Sequence, residues 1–111
     1  MEIKENEFIR TKTGKIDKVI NNNYYMSQYI ECEKRIVDKE NIVNHSFNII
    51  DLIEVGDFVN ENEVIDKYLF NGEIPVLETT GDETNAKCMC EGDIKTILTH
   101  EQYERNCYKI N

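Results

Sequence analysis

The cysteines and histidines are the first side chains of this chain to consider as metal ligands. Cys88 and Cys90 form a Cys-x-Cys pair. The side chains that would have to complete a zinc site are Cys32, Cys107, His45 and His100. Tetrahedral zinc usually takes its ligands from pairs separated by two to four residues. Residues two apart in a strand share a face but lie about 6.5 Å from each other. We therefore expect ordinary reduced thiols and no metal site.

Catalytic patterns are the second kind of chemistry to consider. A Cys–His nucleophilic pair needs a thiol beside an imidazole, and nothing in the sequence places a cysteine next to His45 or His100. The chain has no phosphate-binding loop, GxGxxG, GxSxG or HExxH pattern. The sequence thus predicts a protein that is not an enzyme, with no catalytic residue and no cofactor.

Acidic residues are abundant, with 22 Asp and Glu against 13 Lys and Arg, for a net charge of -9. Such a chain repels phosphate backbones and anionic membranes, so we expect no direct binding of nucleic acid or membrane. The order of ligands in a calcium-binding EF-hand is absent. Two acidic clusters remain as either a solvated face or a contact surface for a basic partner. The predicted partner-binding residues are Glu61, Glu63, Asp66, Glu78, Asp82 and Glu83.

Short strands separated by turns must position these residues. Thr13-Gly14 predicts a hairpin between strands at 7–13 and 15–20, and Asn71-Gly72 predicts another between 64–70 and 74–80. Pro75 cannot donate to a sheet ladder, so its strand is predicted at an edge. A third strand is predicted at 24–34, where Tyr24, Tyr25 and Tyr29 are expected to pack on one face of the sheet rather than to form a contact patch. A short helical turn is allowed from Lys39.

The most apolar run, IIDLIEVGDFV at 49–59, predicts a strand that enters a sharp turn at Gly56-Asp57. Its expected core residues are Ile50, Leu52, Ile53, Val55, Phe58 and Val59. Asp51 and Glu54 are expected to point outward. Cys88 to Cys90 and 94–98 predict two further strands. Thr99 resembles a helix cap, with Gln102 completing a capping box, and predicts a helix from His100 to Cys107.

Together these elements predict a mainly β (α+β) fold, either a small bent antiparallel sheet or an SH3-like barrel with a C-terminal helix. The length of 111 residues fits a single domain, 1–111. The charged N-terminal residues do not read as a secretion signal, and no apolar run approaches the roughly 20 residues of a membrane span. We therefore expect a cytoplasmic protein.

Three segments resemble a group of small, uncharacterised proteins encoded by phages and prophages of low-GC Gram-positive, clostridial-type bacteria. They are IRTKTGKIDKVI at 9–20, VNHSFNIIDLIEVGDFVN at 43–60 and EGDIKTILTHEQYERNCYKI at 91–110. The resemblance carries over no catalytic or ligand residue. It implies an accessory protein that acts in the cytoplasm of an infected host.

The resemblance and the acidity together favour an inhibitor of host antiviral defence. Its expected partner is a host protein with a basic surface, such as a CRISPR effector that holds nucleic acid in a positively charged channel, which an acidic domain would mimic. One alternative is a sponge that sequesters a nucleotide immune signal, with a basic pocket from Arg10, Lys12 and Lys15. Another is a phage housekeeping or structural protein, and the detection of a homo-oligomer in solution would support this alternative.

Overall fold

The computed structural model describes residues 2–22, 28–80 and 87–106, and it is mainly β. The chain folds into two compact units, Met1–Leu52 and Ile53–Asn111, each of which contains one five-stranded antiparallel sheet. The mainly β prediction is confirmed. The SH3-like barrel alternative is wrong, because the sheets are not closed. Single-domain organisation stays a prediction.

The first unit holds strands β1 to β5 in the order β4-β3-β2-β1-β5. Their bounds are β1 (Phe8–Thr11), β2 (Ile16–Asn21), β3 (Tyr29–Cys32), β4 (Ile36–Asp38) and β5 (Ile42–Ser46). One hydrophobic cluster, drawn from every strand of this sheet and from the segment before it, forms the core: Ile3, Ile9, Val19, Ile30, Cys32, Val37 and Ile42. Burying each such aliphatic side chain contributes about 1.5–3 kcal/mol.

The predicted hairpin at Thr13-Gly14 is confirmed, since β1 pairs antiparallel with β2 and Gly14 has a φ of 82°. The possible helical turn from Lys39 is a 3₁₀ turn over Lys39–Asn41, whose first free amide, that of Glu40, donates to the Asp38 carboxylate. The strands on either side of this turn, β4 and β5, were not predicted. The third strand begins only at Tyr29, which is 39% exposed. Tyr24 and Tyr25 lie outside the described residues.

The second unit holds strands β6 to β10 in the order β10-β6-β7-β8-β9, followed by a helix. Their bounds are β6 (Phe58–Val59), β7 (Asn62–Phe70), β8 (Ile74–Thr79), β9 (Lys87–Met89), β10 (Ile97–Leu98) and α1 (His100–Asn106). Thr99 Oγ1 accepts the Gln102 N–H at 3.4 Å, which confirms the predicted helix cap. None of the described helices is long and apolar enough to cross a lipid bilayer.

The long β7–β8 hairpin confirms the Asn71-Gly72 prediction, because both residues have positive φ angles, 54° and 73°. The expectation that Pro75 lies on an edge strand is wrong for the strand, since β8 has neighbours on both sides. Pro75 itself nevertheless lies at an edge of the sheet. Pairing with β9 covers only Leu77 to Thr79, so Pro75, which is opposite Leu69 of β7, lies beyond the paired part.

The apolar run at 49–59 forms a 3₁₀ turn over Ile49–Leu52 instead of the predicted strand. Ile50, Leu52, Ile53 and Val59 are fully buried, and Asp51 and Glu54 are exposed, as expected. Val55 is 57% exposed and Phe58 only half-buried, so their assignment to the core is wrong. Val55 is exposed because it lies in the tight turn, directly before Gly56, whose φ is 100°.

Candidate functional site

One side of the second sheet is largely solvent-exposed and carries three of the four predicted acids that are among the described residues. Directly paired residues of antiparallel strands lie on the same side. The buried residues Val64, Leu77, Thr79 and Met89 define the core side through their pairings. The opposite side, which we name the outer face, consists of Phe58, Glu63, Asp66, Tyr68, Phe70, Ile74, Val76, Glu78, Cys88 and Leu98, of which Val76 is buried and Phe58 and Glu78 are half-buried.

A β-bulge explains why Glu63 and Asp66 share the outer face. Side chains alternate along a strand, so residues three apart normally lie on opposite sides. The register shifts between Val64 and Asp66, which inserts Ile65 as an extra residue and restores the common side. Ile65 is 47% exposed.

Asp66 and Glu78 are directly opposite each other on neighbouring strands. Like charges in this position destabilise a sheet by a few tenths of a kcal/mol to about 1 kcal/mol. Asp66 Oδ1 accepts the Lys67 backbone N–H at 2.8 Å, which is a local bond that does not pair the two carboxylates. The pair therefore concentrates negative charge at a cost to the fold.

Glu61 occupies the turn between β6 and β7, with a φ of 72°, and lies at an apolar groove rather than among the paired acids. Asp82 and Glu83 are outside the described residues. The structure thus brings Glu63, Asp66 and Glu78 together on one face and places Glu61 at its margin.

Exposed apolar side chains continue the outer face toward the hairpin tip. Tyr68 is 38% exposed, Phe70 53% and Ile74 49%. The Tyr68 hydroxyl lies 3.7 Å from Cys88 Sγ. This contact raises the pKa of Tyr68, and the charges of Glu78 and Asp66 act in the same direction. Sequence reasoning missed these residues, although the alternation of Asp66, Tyr68 and Phe70 was a usable signal.

The groove at Glu61 has a volume of about 270 Å³ and is lined mainly by Phe58, Ile97, Leu98 and Tyr103. The rings of Phe58 and Tyr103 pack with their centroids 4.8 Å apart. It can accept one apolar side chain beside the Glu61 carboxylate.

Asn60 fixes the chain beside this groove. Its Oδ1 accepts the backbone N–H groups of Lys95 at 2.7 Å and Thr96 at 3.0 Å, and its Nδ2 donates to the Asp93 carbonyl at 2.7 Å. Asn60 also has a φ of 50°, which asparagine tolerates better than most residues. These bonds replace most of the strand predicted over 94–98, because the Asn60 side chain occupies donors that a longer ladder would need.

Glu54, His100 and Glu101 form the one group of three possible metal ligands among the described residues. His100 Nε2 lies 3.0 Å from Glu54 Oε1 and 3.5 Å from Glu101 Oε1. Such nitrogen and carboxylate oxygen atoms can coordinate a zinc-like cation, and they equally form an ordinary imidazole–carboxylate contact. The buried Asp57 carboxylate fixes the backbone of this group, accepting the N–H groups of Glu54 and His100, both at 2.8 Å.

Among the described residues, His45, Cys32, Cys88 and Cys90 do not belong to any group of three possible metal ligands. His45 Nδ1 lies 3.0 Å from Glu7 Oε1 in the first unit. Cys32, Cys88 and Cys90 are free thiols, and burial raises the pKa of Cys32 to about 11. Cys107 is outside the described residues. Cys32 is therefore an inert core residue at neutral pH.

No protein-family model, curated protein or solved structure matches this chain, so the outer face itself is the basis for a function.

Proposed function

We propose that this protein is a non-enzymatic binding protein that engages a basic surface of a protein partner through its outer face. The observation that carries the proposal is that Glu63, Asp66 and Glu78 share one exposed sheet face with Tyr68 and Phe70. Aromatic anchors next to charged residues are typical of protein interfaces. A face that only needed to be solvated would not require exposed aromatic residues.

Charge complementarity identifies the kind of partner. The net charge of -9 and the Asp66–Glu78 pair favour encounter with a positively charged surface and disfavour nucleic acid. Proteins that bind nucleic acid present such surfaces. The resemblance to phage-encoded proteins supports a partner from host antiviral defence, such as a CRISPR effector, and a site of action in the host cytoplasm.

The test is affinity purification from the host, comparing the wild-type protein with two double variants. Asp66→Lys/Glu78→Lys reverses the outer face. Glu33→Lys/Glu40→Lys, at exposed positions of the first unit, changes the net charge by the same amount. We expect the first variant to weaken binding of the recovered basic protein by about tenfold or more, or about 1.4 kcal/mol, and the second to change it little.

Equal binding by the wild-type protein and the outer-face variant would refute the proposal. So would equal losses in the two variants, because net charge alone would then explain binding. Recovery of no basic protein, together with a homo-oligomer in solution, would favour the structural phage component instead.

A further inference from the structure

A basic pocket in the first unit is independent of the outer face. It has a volume of about 250 Å³ and lies where the β1–β2 turn meets β4 and the 3₁₀ turn after it. Its charged and polar lining includes Lys12, Thr13, Lys15, Arg35, Asp38 and Asn41. We propose that this pocket binds a small phosphate-bearing ligand, no larger than a mononucleotide.

The β1–β2 turn holds the two lysines in place. Thr11 Oγ1 accepts the Lys15 backbone N–H at 3.1 Å and lies 3.2 Å from Thr13 Oγ1. The Lys12 backbone N–H donates to the Asn41 carbonyl at 2.8 Å, which ties the turn to the wall formed by the 3₁₀ turn. Lys12 and Lys15 therefore project from a fixed turn, while their exposed ammonium groups keep the freedom to close on an anion.

Arg35 supplies an observation that points to a ligand. Its Nη1 atom is buried and has no hydrogen-bond partner. The nearest described carboxylate contact is at the other end of the guanidinium, where Nε lies 3.7 Å from Asp17 Oδ2. A buried donor without an acceptor costs free energy. The Arg35 side chain is 33% exposed, so a change of its rotamer would bring this enclosed nitrogen to an oxygen of a phosphate in the pocket, and guanidinium groups match phosphate geometry.

The charge balance of the pocket is opposite to that of the whole chain. Three cations, Lys12, Lys15 and Arg35, and one carboxylate, Asp38, line the pocket, and the Asp17 carboxylate lies behind it at 3.7 Å from Arg35, which leaves an excess of one positive charge. Asp38 is engaged elsewhere, since it accepts the Glu40 backbone N–H at 3.0 Å and the Gln28 amide at 3.4 Å. A cationic pocket within a chain of net charge -9 selects an anion at close range.

The size of the pocket limits the ligand. Pockets for drug-sized molecules are about 300–1,000 Å³, so a volume of about 250 Å³ suits a phosphate group with a small attached moiety. The sequence predicted a basic pocket formed by Arg10, Lys12 and Lys15, and Arg10 is wrong. Arg10 is fully buried and donates through Nη1 to the Leu52 carbonyl at 2.9 Å, whereas Arg35 lines the pocket with Lys12 and Lys15.

The test is titration of the full chain with inorganic phosphate, AMP and adenosine, followed by amide NMR shifts and calorimetry. We expect phosphate and AMP, but not adenosine, to shift the amides of Lys12, Thr13, Lys15 and Asn41. Lys12→Gln/Lys15→Gln should weaken binding by about tenfold or more. The control Lys4→Gln/Lys95→Gln removes the same charge from exposed sites that do not line the pocket and should change binding less than about twofold.

Arg35→Lys keeps the charge but loses the fork of donors, and we expect it to weaken phosphate binding while the protein stays folded. The proposal is overturned if phosphate and AMP cause no localised shifts at millimolar concentration. It is equally overturned if both glutamine double variants weaken binding by the same factor. Either outcome leaves the outer face untouched, because the two sites share no residue.

Discussion

Asp57 offers the sharpest test of how the second unit is held together. Its side chain is completely buried, and its two carboxylate oxygens accept the backbone N–H groups of Glu54 and His100. The first bond closes the turn after the apolar run. The second joins that turn to the start of α1, 43 residues later in the chain. Asp57→Ala removes both acceptors and leaves two N–H groups without them.

The expected loss follows from these two bonds. A hydrogen bond to a charged group contributes about 1.5–3 kcal/mol. Two of them, with some relaxation around the smaller side chain, give a loss of about 3–5 kcal/mol in the free energy of unfolding. This is a large fraction of the roughly 5–15 kcal/mol that stabilises a typical domain. Asp57→Asn keeps one acceptor but turns an amide donor toward the other N–H, so it should lose about half as much.

Urea unfolding measures the global loss, and hydrogen exchange at the Glu54 and His100 amides measures the local one. The control is Asp66→Ala, which removes an exposed carboxylate that accepts a single local N–H and faces Glu78. The free energy of unfolding of this control should not fall by more than about 0.5 kcal/mol, and relief of the repulsion with Glu78 should raise it if it changes. If Asp57→Ala loses less than about 1 kcal/mol, or if both amides stay protected from exchange, the assigned role of Asp57 is wrong.

Two further predictions concern the stability of the two units. Burial alone raises the pKa of Glu7, but the Lys4 N–H and the His45 imidazole outweigh it and hold the pKa below its usual value. The resulting stabilisation is present above the unfolded-state pKa and is lost as pH falls through the folded-state pKa. Urea midpoints measured between about pH 7 and pH 3 should therefore fall with pH in the wild-type protein. They should fall less steeply in Glu7→Gln, which lacks the titrating carboxyl group. Within the apolar run, Ile53→Ala should lower the free energy of unfolding by about 2–5 kcal/mol, whereas Val55→Asp should change it by less than about 0.5 kcal/mol. Similar losses at the two positions would contradict the burial assigned to this segment.

Features that depend on local chemistry were predictable from sequence. Asn71-Gly72 adopts the positive φ angles that its turn requires, and Thr99 caps the helix that follows it. In both cases the residues that decide the structure are within a few positions of each other. The same reasoning identified the buried Ile50, Leu52 and Ile53 but not their 3₁₀ conformation, because burial is compatible with either conformation.

Features that depend on distant partners were not predictable. The Asn60 side chain bonds to backbone groups 33 to 36 residues away. The sequence shows an asparagine after an apolar pair and no sign of those partners. Strand β4 has only three residues, and neither it nor its partner β3 shows a clear alternation of apolar and polar residues. Strand β4 therefore forms because it pairs within the sheet and not because of its own composition.

The candidate site falls between these cases. The acids were visible in the sequence, but their common face depends on the bulge at Ile65, which no local signal marks. The basic pocket depends on Arg35 meeting Lys12 and Lys15 across the first sheet. The sequence could not show that Arg35 and not Arg10 lines the pocket, because both are single arginines next to an apolar residue.

The position of Pro75 also bears on how an apolar hairpin avoids aggregation. Where β8 extends beyond β9, no other described strand pairs with its outer edge, and such an edge can serve as a template for an incoming strand from another molecule. Pro75 lies in that stretch and has no N–H to donate, so a continuous intermolecular ladder cannot form there. The tip can therefore expose Phe70 and Ile74 through their side chains without offering the backbone as a template for a growing fibre.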